Sequence, residues 1–463
     1  MGCHPRLFRI SCSPAFLEYG SVQMFQDCRG LDISAASEEA VKAFDATIVS
    51  YLGINPSAGP NLKSIFEADL DMPLAHVLKC YFFMLMATGP LQVRAQKAAA
   101  DARERYDAAN PRERLHIEAA EHWSHGRKRA AIACWEAILV ANPLDALALR
   151  LAHHGHFYEG DGQNLRDTVT RRLYAWSADV PGYGYVKGME AFGFEETHNY
   201  DAALRAGEEA VDLIAENPWA IHAVAHVYEM RDMPDAGINW IRKNQPGWMT
   251  ANNFRYHVWW HRMLMHLDKG EYAEVLKLYD EDLWDAESDE YLDLVNDAAV
   301  LLRLELHDQD VGGRWEALAE KCKSHKSDQQ LAFIDVHHAI SLSAVEGDDA
   351  QELLDAMKAY SQSKGEDNAY ITQMLGLPVA EALIAHRHGE YGFVVDTLIP
   401  IRYQLHKLGG SHAQRDLFAM VLIDSALKSG RINVAKMLIS ERLGRLPNNL
   451  WTLAKAEAAG LAA

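Results

Sequence analysis

One stretch decides the fold: G-R-K-R-A-A-I-A-C-W-E-A-I-L-V-A-N-P, which runs from Gly126 to Pro143. It opens on a glycine that suits a tight turn, continues with helix-forming residues and stops at a proline. Ala131 is small enough to let this helix approach the preceding one, and Trp135 fills the groove between them. The same intervals recur from Gly430. The stretch therefore predicts the turn and second helix of a helical hairpin.

The turn recurs at a constant spacing along the chain. A single hairpin cannot bury both of its faces, so successive hairpins are expected to stack. We therefore predict an all-α protein, an α-solenoid of stacked antiparallel helical hairpins, curved and with a concave groove. Its period of about 36 residues is close to that of tetratricopeptide repeats. Candidate turns lie 36 residues apart at Gly126, Gly162, His198, Pro234 and Gly270.

The clarity of this repeat divides the chain into four segments. The pattern is clearest from about 111 to 285 and blurs from 286 to 385. The segments are an N-terminal extension at 1–23, an N-terminal helical cap at 24–110, the clearest tetratricopeptide-like repeats at 111–285 and degenerate C-terminal helical repeats at 286–463.

Composition excludes several classes of protein. The chain has 463 residues, 49% of them hydrophobic, and a formal net charge of −20. A nucleic-acid binder needs clustered Lys and Arg, and docking on an anionic membrane needs positive charge, so neither is expected. The six cysteines form no C-x-x-C pair, there is no signal-peptide pattern, and no apolar run approaches the length of a membrane span. These features favour a cytoplasmic protein.

Two histidine pairs suggest a site. His222 and His226 stand four residues apart on the first helix of one hairpin, and Glu229 follows on the same face. His257 and His261 repeat the spacing on the first helix of the next hairpin. Adjacent hairpins place their first helices side by side, so the four imidazoles and Glu229 are expected to converge. Such a set is typical of a divalent transition-metal site.

Three interpretations of the pairs remain open at this stage. With a metal, the four histidines are ligands and Glu229 is a ligand or general base. Without a metal, His226 or His261 is the acid–base group and Glu229 orients it. In the third interpretation the imidazoles are buried, neutral and hydrogen-bonded to neighbouring helices without any chemistry. The H-E-x-x-H signature of zinc proteases is absent because Ala223 occupies its acid position.

Further residues are candidates for contact with a ligand in the groove. Aromatic side chains beside histidines are typical of small-molecule sites, although they also fill helix–helix cores. Two arginines could clamp a carboxylate or phosphate. For Arg415 the alternative is a structural role, because Ser411 and Gln414, just before it in the sequence, form a capping-box pattern that would begin a helix. The ligand-binding candidates are His154, His222, His257, Tyr256, Trp260, His337, Arg402 and Arg415.

Several segments spread over most of the chain carry a family resemblance: Phe44-Asp45-Ala46-Thr47, Tyr185-Val186-Lys187-Gly188, the two histidine pairs with their neighbours, Lys269-Gly270-Glu271-Tyr272, Ile401-Arg402-Tyr403 and Leu408-Gly409-Gly410-Ser411-His412-Ala413-Gln414-Arg415-Asp416. Together they resemble the tetratricopeptide repeat protein 38 family. The resemblance implies a cytosolic α-solenoid and implies no particular reaction. Residues 1–23 fall outside it, so Met24 as well as Met1 is a candidate start.

The sequence thus leaves two functions open. The first is a binding solenoid that takes a peptide, a protein or a small ligand in its concave groove. The alternative is an enzyme, metal-dependent or not, that acts on a small molecule with a His/Glu cluster at the groove centre. Eleven Trp and 18 Tyr would support a homodimer but do not fix one.

Overall fold

The computed structural model describes residues 23–461. The predicted N-terminal extension, apart from its last residue, lies outside this range, and so does Met1. The described chain is built almost entirely from consecutive packed helices. None of these helices combines the length and hydrophobicity that a bilayer span requires.

Two short strands come first in the described chain, and helices follow them. The strands are β1 Gln23–Gln26 and β2 Asp32–Ala35. The helices are α1 Glu38–Leu52, α2 Ala58–Ala68, α3 Pro73–Leu85, α4 Gly89–Arg103, α5 Pro111–Ser124, α6 Lys128–Ala141, α7 Ala146–Tyr158, α8 Gly162–Thr170, α9 Tyr183–Glu195, α10 Tyr200–Leu213, α11 Pro218–Met230, α12 Pro234–Lys243, α13 Gln245–Trp248, α14 Phe254–Asp268, α15 Tyr272–Leu278, α16 Tyr291–Leu306, α17 Arg314–Lys323, α18 Ala332–Leu342, α19 Asp349–Tyr360, α20 Asp367–Ile371, α21 Leu377–Arg387, α22 Tyr391–Ile401, α23 His412–Lys428, α24 Ile432–Leu443 and α25 Leu450–Ala458.

A short β-hairpin precedes the helices and was not expected from the sequence. Strands β1 and β2 pair antiparallel, with Phe25 opposite Ile33. Helix α5 holds the hairpin, because the Glu113 carboxylate accepts a hydrogen bond from the Ser34 backbone N–H at 2.8 Å. Strands of four residues are too short for an alternating pattern to stand out in a sequence.

Helix starts follow ordinary capping chemistry. Asn110 and Glu113 form a capping box at the start of α5, with Pro111 as the first helical residue. The box expected at Ser411 and Gln414 is present and opens α23. It follows two glycines in positive-φ conformations, so this part of the chain has a structural role.

Several helices are followed, two or three residues after their last residue, by a residue with positive φ. Two of the expected turn residues, Gly162 and Pro234, instead begin the second helix of their hairpin. The positive-φ residues stand two places earlier, at Gly160 and Asp232. The other three lie where the sequence placed the turn: Gly126, His198 and Gly270.

Helices that follow one another pack together, and the C-terminal part of the chain also packs on the earlier turns. Helix α23 contacts both α11 and α16. The Gly126 carbonyl accepts a hydrogen bond from the Asp367 N–H at 2.9 Å. The Asp232 carboxylate accepts one from the Asn448 N–H at 2.6 Å. These contacts hold C-terminal segments against segments much earlier in the chain.

A matched pair of glycines tests these long-range contacts. Gly160 and Gly430 share nearly the same φ, +66° and +71°. An added Cβ at Gly160 would lie 1.9 Å from the His406 carbonyl oxygen, whereas Gly430 has no neighbouring atom within 4 Å. We expect Gly430→Ala to lower the free energy of unfolding by about 1–2 kcal/mol. Gly160→Ala should cost at least about 2 kcal/mol more, measured by urea unfolding. Equal losses would contradict this packing.

Candidate metal centre and adjoining cavity

The four histidines lie on two neighbouring helices, α11 and α14, which pack side by side. His222 and His226 are one turn apart on α11, and His257 and His261 are one turn apart on α14. Each pair therefore presents both imidazoles on one helix face. Helices α9 and α16 flank this pair of helices and supply further partners. The convergence expected from the sequence is present.

The imidazoles meet through their Nε2 atoms. The Nε2 atoms of His222 and His226 are 2.9 Å apart, and those of His257 and His261 are 3.3 Å apart. Across the two helices, the ring centroids of His226 and His261 are 4.2 Å apart. One ring nitrogen from each of the four residues lies within 4.8 Å of all the others.

These separations suit a bound metal ion. Four nitrogens at about 2.0–2.1 Å from a zinc ion stand about 3.3–3.4 Å apart in a tetrahedron. The Nε2 separations within the two pairs, 2.9 and 3.3 Å, lie within about 0.5 Å of that edge, and the two pairs would close around one ion if their nitrogens, now within 4.8 Å of one another, moved together. All four residues are buried, with exposed fractions between 0 and 4%.

The outward-facing Nδ1 atoms of two histidines lie within hydrogen-bond distance of an acceptor, and that of a third faces a carboxylate at a longer distance. His261 Nδ1 lies 2.8 Å from a Glu229 carboxylate oxygen, and His257 Nδ1 lies 2.9 Å from the Asn296 side-chain oxygen. His226 Nδ1 is 3.7 Å from the Glu195 carboxylate. Metal-bound histidines commonly donate their other N–H to such acceptors, which fixes the tautomer and raises the basicity of the ligand nitrogen.

Burial keeps the imidazoles neutral. It lowers the pKa of His257 and that of His261 to about 3. Burial, together with the neighbouring histidines, also lowers the pKa values of His222 and His226 well below the ordinary value. Neutral imidazole is the form that binds a metal ion.

One of the two carboxylates of the cluster, that of Glu195, lacks hydrogen-bond partners among the described residues. Both oxygens of Glu195 are buried without a hydrogen-bond partner among the described residues. Burial raises the pKa of Glu195 well above the ordinary value, and it raises the pKa of Glu229 to about 8. His222 Nδ1 and His226 Nδ1 are also buried without a hydrogen bond to any described residue. Buried polar groups are usually paired, so this cluster is incomplete in protein atoms alone.

A cavity of about 520 Å³ adjoins one side of the four-histidine cluster. His154, His222 and His257 line it, so the structure brings the sequence candidate His154 to the same place. Arg150, one turn before His154 on α7, also faces the cavity. The remaining wall is largely apolar, and its aromatic side chains include Phe82, Phe83, Phe157, Phe192, Trp219 and Phe254.

A second cavity, of about 440 Å³, lies on the other side of Glu229. Its lining combines apolar side chains with several charged ones. Arg442 pairs with Asp416 at 2.6 Å, and Arg303 lies beside them. Burial raises the pKa of Asp268 in this lining to about 7. Glu229 therefore lies between the histidine cluster and this second cavity.

Of three other residues that the sequence predicted to contact a ligand, one packs against the histidine cluster and two do not. Trp260 packs on His257, with the rings stacked at 13° and their centroids 5.2 Å apart. Tyr256 points away and donates to the Asp285 carboxylate at 2.7 Å. His337 lies outside the cluster on α18, where its Nδ1 bonds to the Phe333 carbonyl oxygen at 2.7 Å.

The two arginine candidates are not brought to the cluster. Arg402 and Arg415 line a separate cleft of about 670 Å³. Arg402 contacts Glu441 at 3.3 Å. Arg415 contacts Glu196 at 3.5 Å and donates to the Gly410 carbonyl oxygen. Both guanidinium groups thus already have protein partners.

Sequence reasoning missed Glu195, Asn296 and Arg150. Glu195 and Asn296 act through contacts between helices that are distant in sequence, and no local spacing marks them. Compared with models of known protein families, the chain matches none.

Proposed function

We propose that this protein is a transition-metal-dependent enzyme that acts on a small molecule. His222, His226, His257 and His261 would hold the ion, and the aromatic cavity beside them would hold the substrate. The observation that carries the proposal is the convergence of four buried imidazoles, with a hydrogen-bond acceptor behind the outer nitrogens of His257 and His261. A histidine that is buried only for packing does not require three further imidazoles beside it.

The donor atoms narrow the choice of metal. Imidazole nitrogen suits zinc, copper, iron and nickel, whereas magnesium and calcium prefer oxygen donors. The cluster offers four imidazoles, and its two carboxylates face the outer nitrogens of the histidines. We therefore propose a divalent transition metal, with Glu195 and Glu229 as outer acceptors rather than first ligands.

Charge balance supports the same assignment. Glu195 is fully buried and Glu229 is 8% exposed, and a buried carboxylate is costly unless a cation compensates it. One divalent ion among neutral imidazoles would balance two ionised carboxylates. The ion would thus account for acidic side chains that otherwise stand beside neutral rings.

The cavity gives the cluster an accessible side. His222 and His257 line the cavity, while His226 and His261 are fully buried behind them. A coordination position on the cavity side would be open to a substrate oxygen or to water. A bound metal supplies Lewis acidity there, which polarises such an oxygen. Glu229, on the far side, holds His261 in place.

We further propose that the hairpins are tetratricopeptide-like repeats, that their period is about 36 residues and that the chain is a relative of the tetratricopeptide repeat protein 38 family. Positive-φ residues at the ends of successive first helices support the repeat. The resembling segments include the helix faces that carry the four histidines. Peptide binding in an open concave groove has less support, because the C-terminal helices pack on the earlier turns.

Cobalt substitution tests whether the metal is reactive or only structural. We expect the metal-free protein to bind one Co²⁺ and to show visible d–d absorption. Added azide should change that spectrum, because a position on the cavity side is open to a small ligand. A spectrum that azide leaves unchanged would indicate a closed structural site and would contradict the enzymatic proposal.

A further inference from the structure

Arg150 is a buried cation without an anionic partner. Arg150 is 7% exposed, and no carboxylate of the described chain lies within ion-pairing distance of its guanidinium group. Its guanidinium packs over the Trp219 ring at 4.0 Å, and its Nε is buried without a hydrogen bond to any described residue. Burying a charge is costly unless it is paired, so the position of Arg150 calls for an anion.

Two other buried arginines of the protein show the usual arrangement. Arg112 is equally buried and pairs with Asp145 at 2.7 Å. Arg442 is 3% exposed and pairs with Asp416 at 2.6 Å. Arg303, 4% exposed, also has no ion pair within the described chain, but its guanidinium donates to the Ala299 and Ala413 carbonyl oxygens. Arg150, which lines the 520 Å³ cavity, departs from both arrangements. The missing partner of Arg150 is therefore expected to enter through the cavity.

The other residues that line the cavity indicate the chemistry of the rest of the ligand. The lining around Arg150 contains many aromatic and aliphatic side chains, which favours an aromatic or otherwise apolar group. Glu290, at the start of α16, is the acidic residue in the lining, and no ion pair within 4.0 Å joins it to Arg150. His222 and His257 line the same cavity, so one ligand could contact Arg150 and the metal side together.

We propose that the cavity binds an aromatic or largely apolar carboxylate, that Arg150 holds its carboxylate group and that its reacting group lies against the His222 and His257 side of the metal. This inference rests on the proposed function and names its class of substrate. The planar guanidinium can donate two parallel N–H bonds to a carboxylate, which gives orientation as well as affinity. Trp219 keeps the guanidinium plane in place from the other side.

A pair of probes that differ in charge alone tests the proposal. Phenylpropionate and phenylpropanamide have nearly the same size and shape, and their binding to metal-loaded protein can be measured by calorimetry. We expect the acid to bind at least about tenfold more tightly than the amide. Equal affinities, or binding of neither probe, would overturn the proposal without any variant.

Variants assign the preference to Arg150. In Arg150→Met the preference for the acid should disappear, and Arg150→Lys should keep part of it because the charge remains. Arg262→Met is the matched control, since Arg262 also lies over a tryptophan, Trp259, at 5.1 Å but does not line this cavity. A preference that survives in Arg150→Met would overturn the assignment.

Metal content measured on the same samples separates the two proposals. Full metal content without a preference for the acid would overturn the carboxylate inference and leave the metal centre intact. A preference for the acid in protein that takes up no metal would overturn the proposed function and leave the role of Arg150 intact.

Discussion

His261→Gln is expected to remove the metal. His261 Nε2 faces His257, its ring lies against that of His226, and its Nδ1 bonds to Glu229. The substitution therefore takes away one ligand and leaves the Glu229 carboxylate without its partner. We expect metal affinity to fall by more than about 100-fold, beyond the usual loss for an outer partner. Competition with a chromophoric chelator measures this change.

The control for His261→Gln is His337→Gln. His337 is also a fully buried histidine on the first helix of a hairpin, but it lies outside the four-histidine cluster and bonds to the Phe333 carbonyl oxygen. The control should keep its metal even if it loses stability. Equal metal loss in both variants would mean that the His261 result reports unfolding, and unchanged affinity in His261→Gln would contradict the ligand assignment.

Metal binding should also stabilise the folded protein. An ion that binds the folded state alone adds about 4 kcal/mol when its free concentration is 1,000 times its Kd. Chelation should accordingly lower the melting temperature of the wild type and leave that of His261→Gln nearly unchanged.

Glu195→Gln and Glu229→Gln are expected to weaken metal binding by about 10–100-fold each, and together by more. Glutamine keeps the size of the side chain and loses the negative charge that balances the ion. The single variants should differ, because Glu229 lies 2.8 Å from His261 Nδ1 while Glu195 lies 3.7 Å from His226 Nδ1. We expect the larger loss for Glu229→Gln, measured by the same chelator competition.

Glu190→Gln provides the control for the carboxylates. Glu190 lies on α9 like Glu195 and is 7% exposed, but it pairs with Lys187 instead of facing the cluster. Its substitution should leave metal affinity unchanged. If Glu195→Gln and Glu229→Gln bound metal as tightly as the wild type, the charge-balance argument would be wrong.

The helical pairs were predictable from sequence because their information is local. Four-residue spacing places His222 with His226, and His257 with His261, on one face of a helix whatever the surrounding fold. The capping box at Ser411 is local in the same sense, and it is confirmed. The turns were located to within two residues, since Gly162 and Pro234 are helix-starting residues beside the true turn.

The surroundings of the pairs were not predictable because they depend on tertiary contacts. Asn296 reaches His257 from α16, and Glu195 reaches His226 from α9, across 39 and 31 residues of sequence. Nothing in the sequence around Arg150 distinguishes it from other arginines. Only its position in the cavity wall and its lack of an ion pair within the described chain do so. The sequence also predicted Tyr256 and His337 as ligand contacts. In the structure both side chains point away from the histidine cluster and bond to Asp285 and to the Phe333 carbonyl oxygen, respectively.

X-ray absorption spectroscopy on protein reconstituted with zinc tests the central claim most directly. Elemental analysis of the same sample gives the stoichiometry, and the absorption edge and fine structure give the donor atoms. The account predicts one zinc per chain with three or four imidazole nitrogens at about 2.0–2.1 Å. Protein that binds no zinc after reconstitution, or binds it through oxygen or sulfur donors without imidazole, would contradict the account.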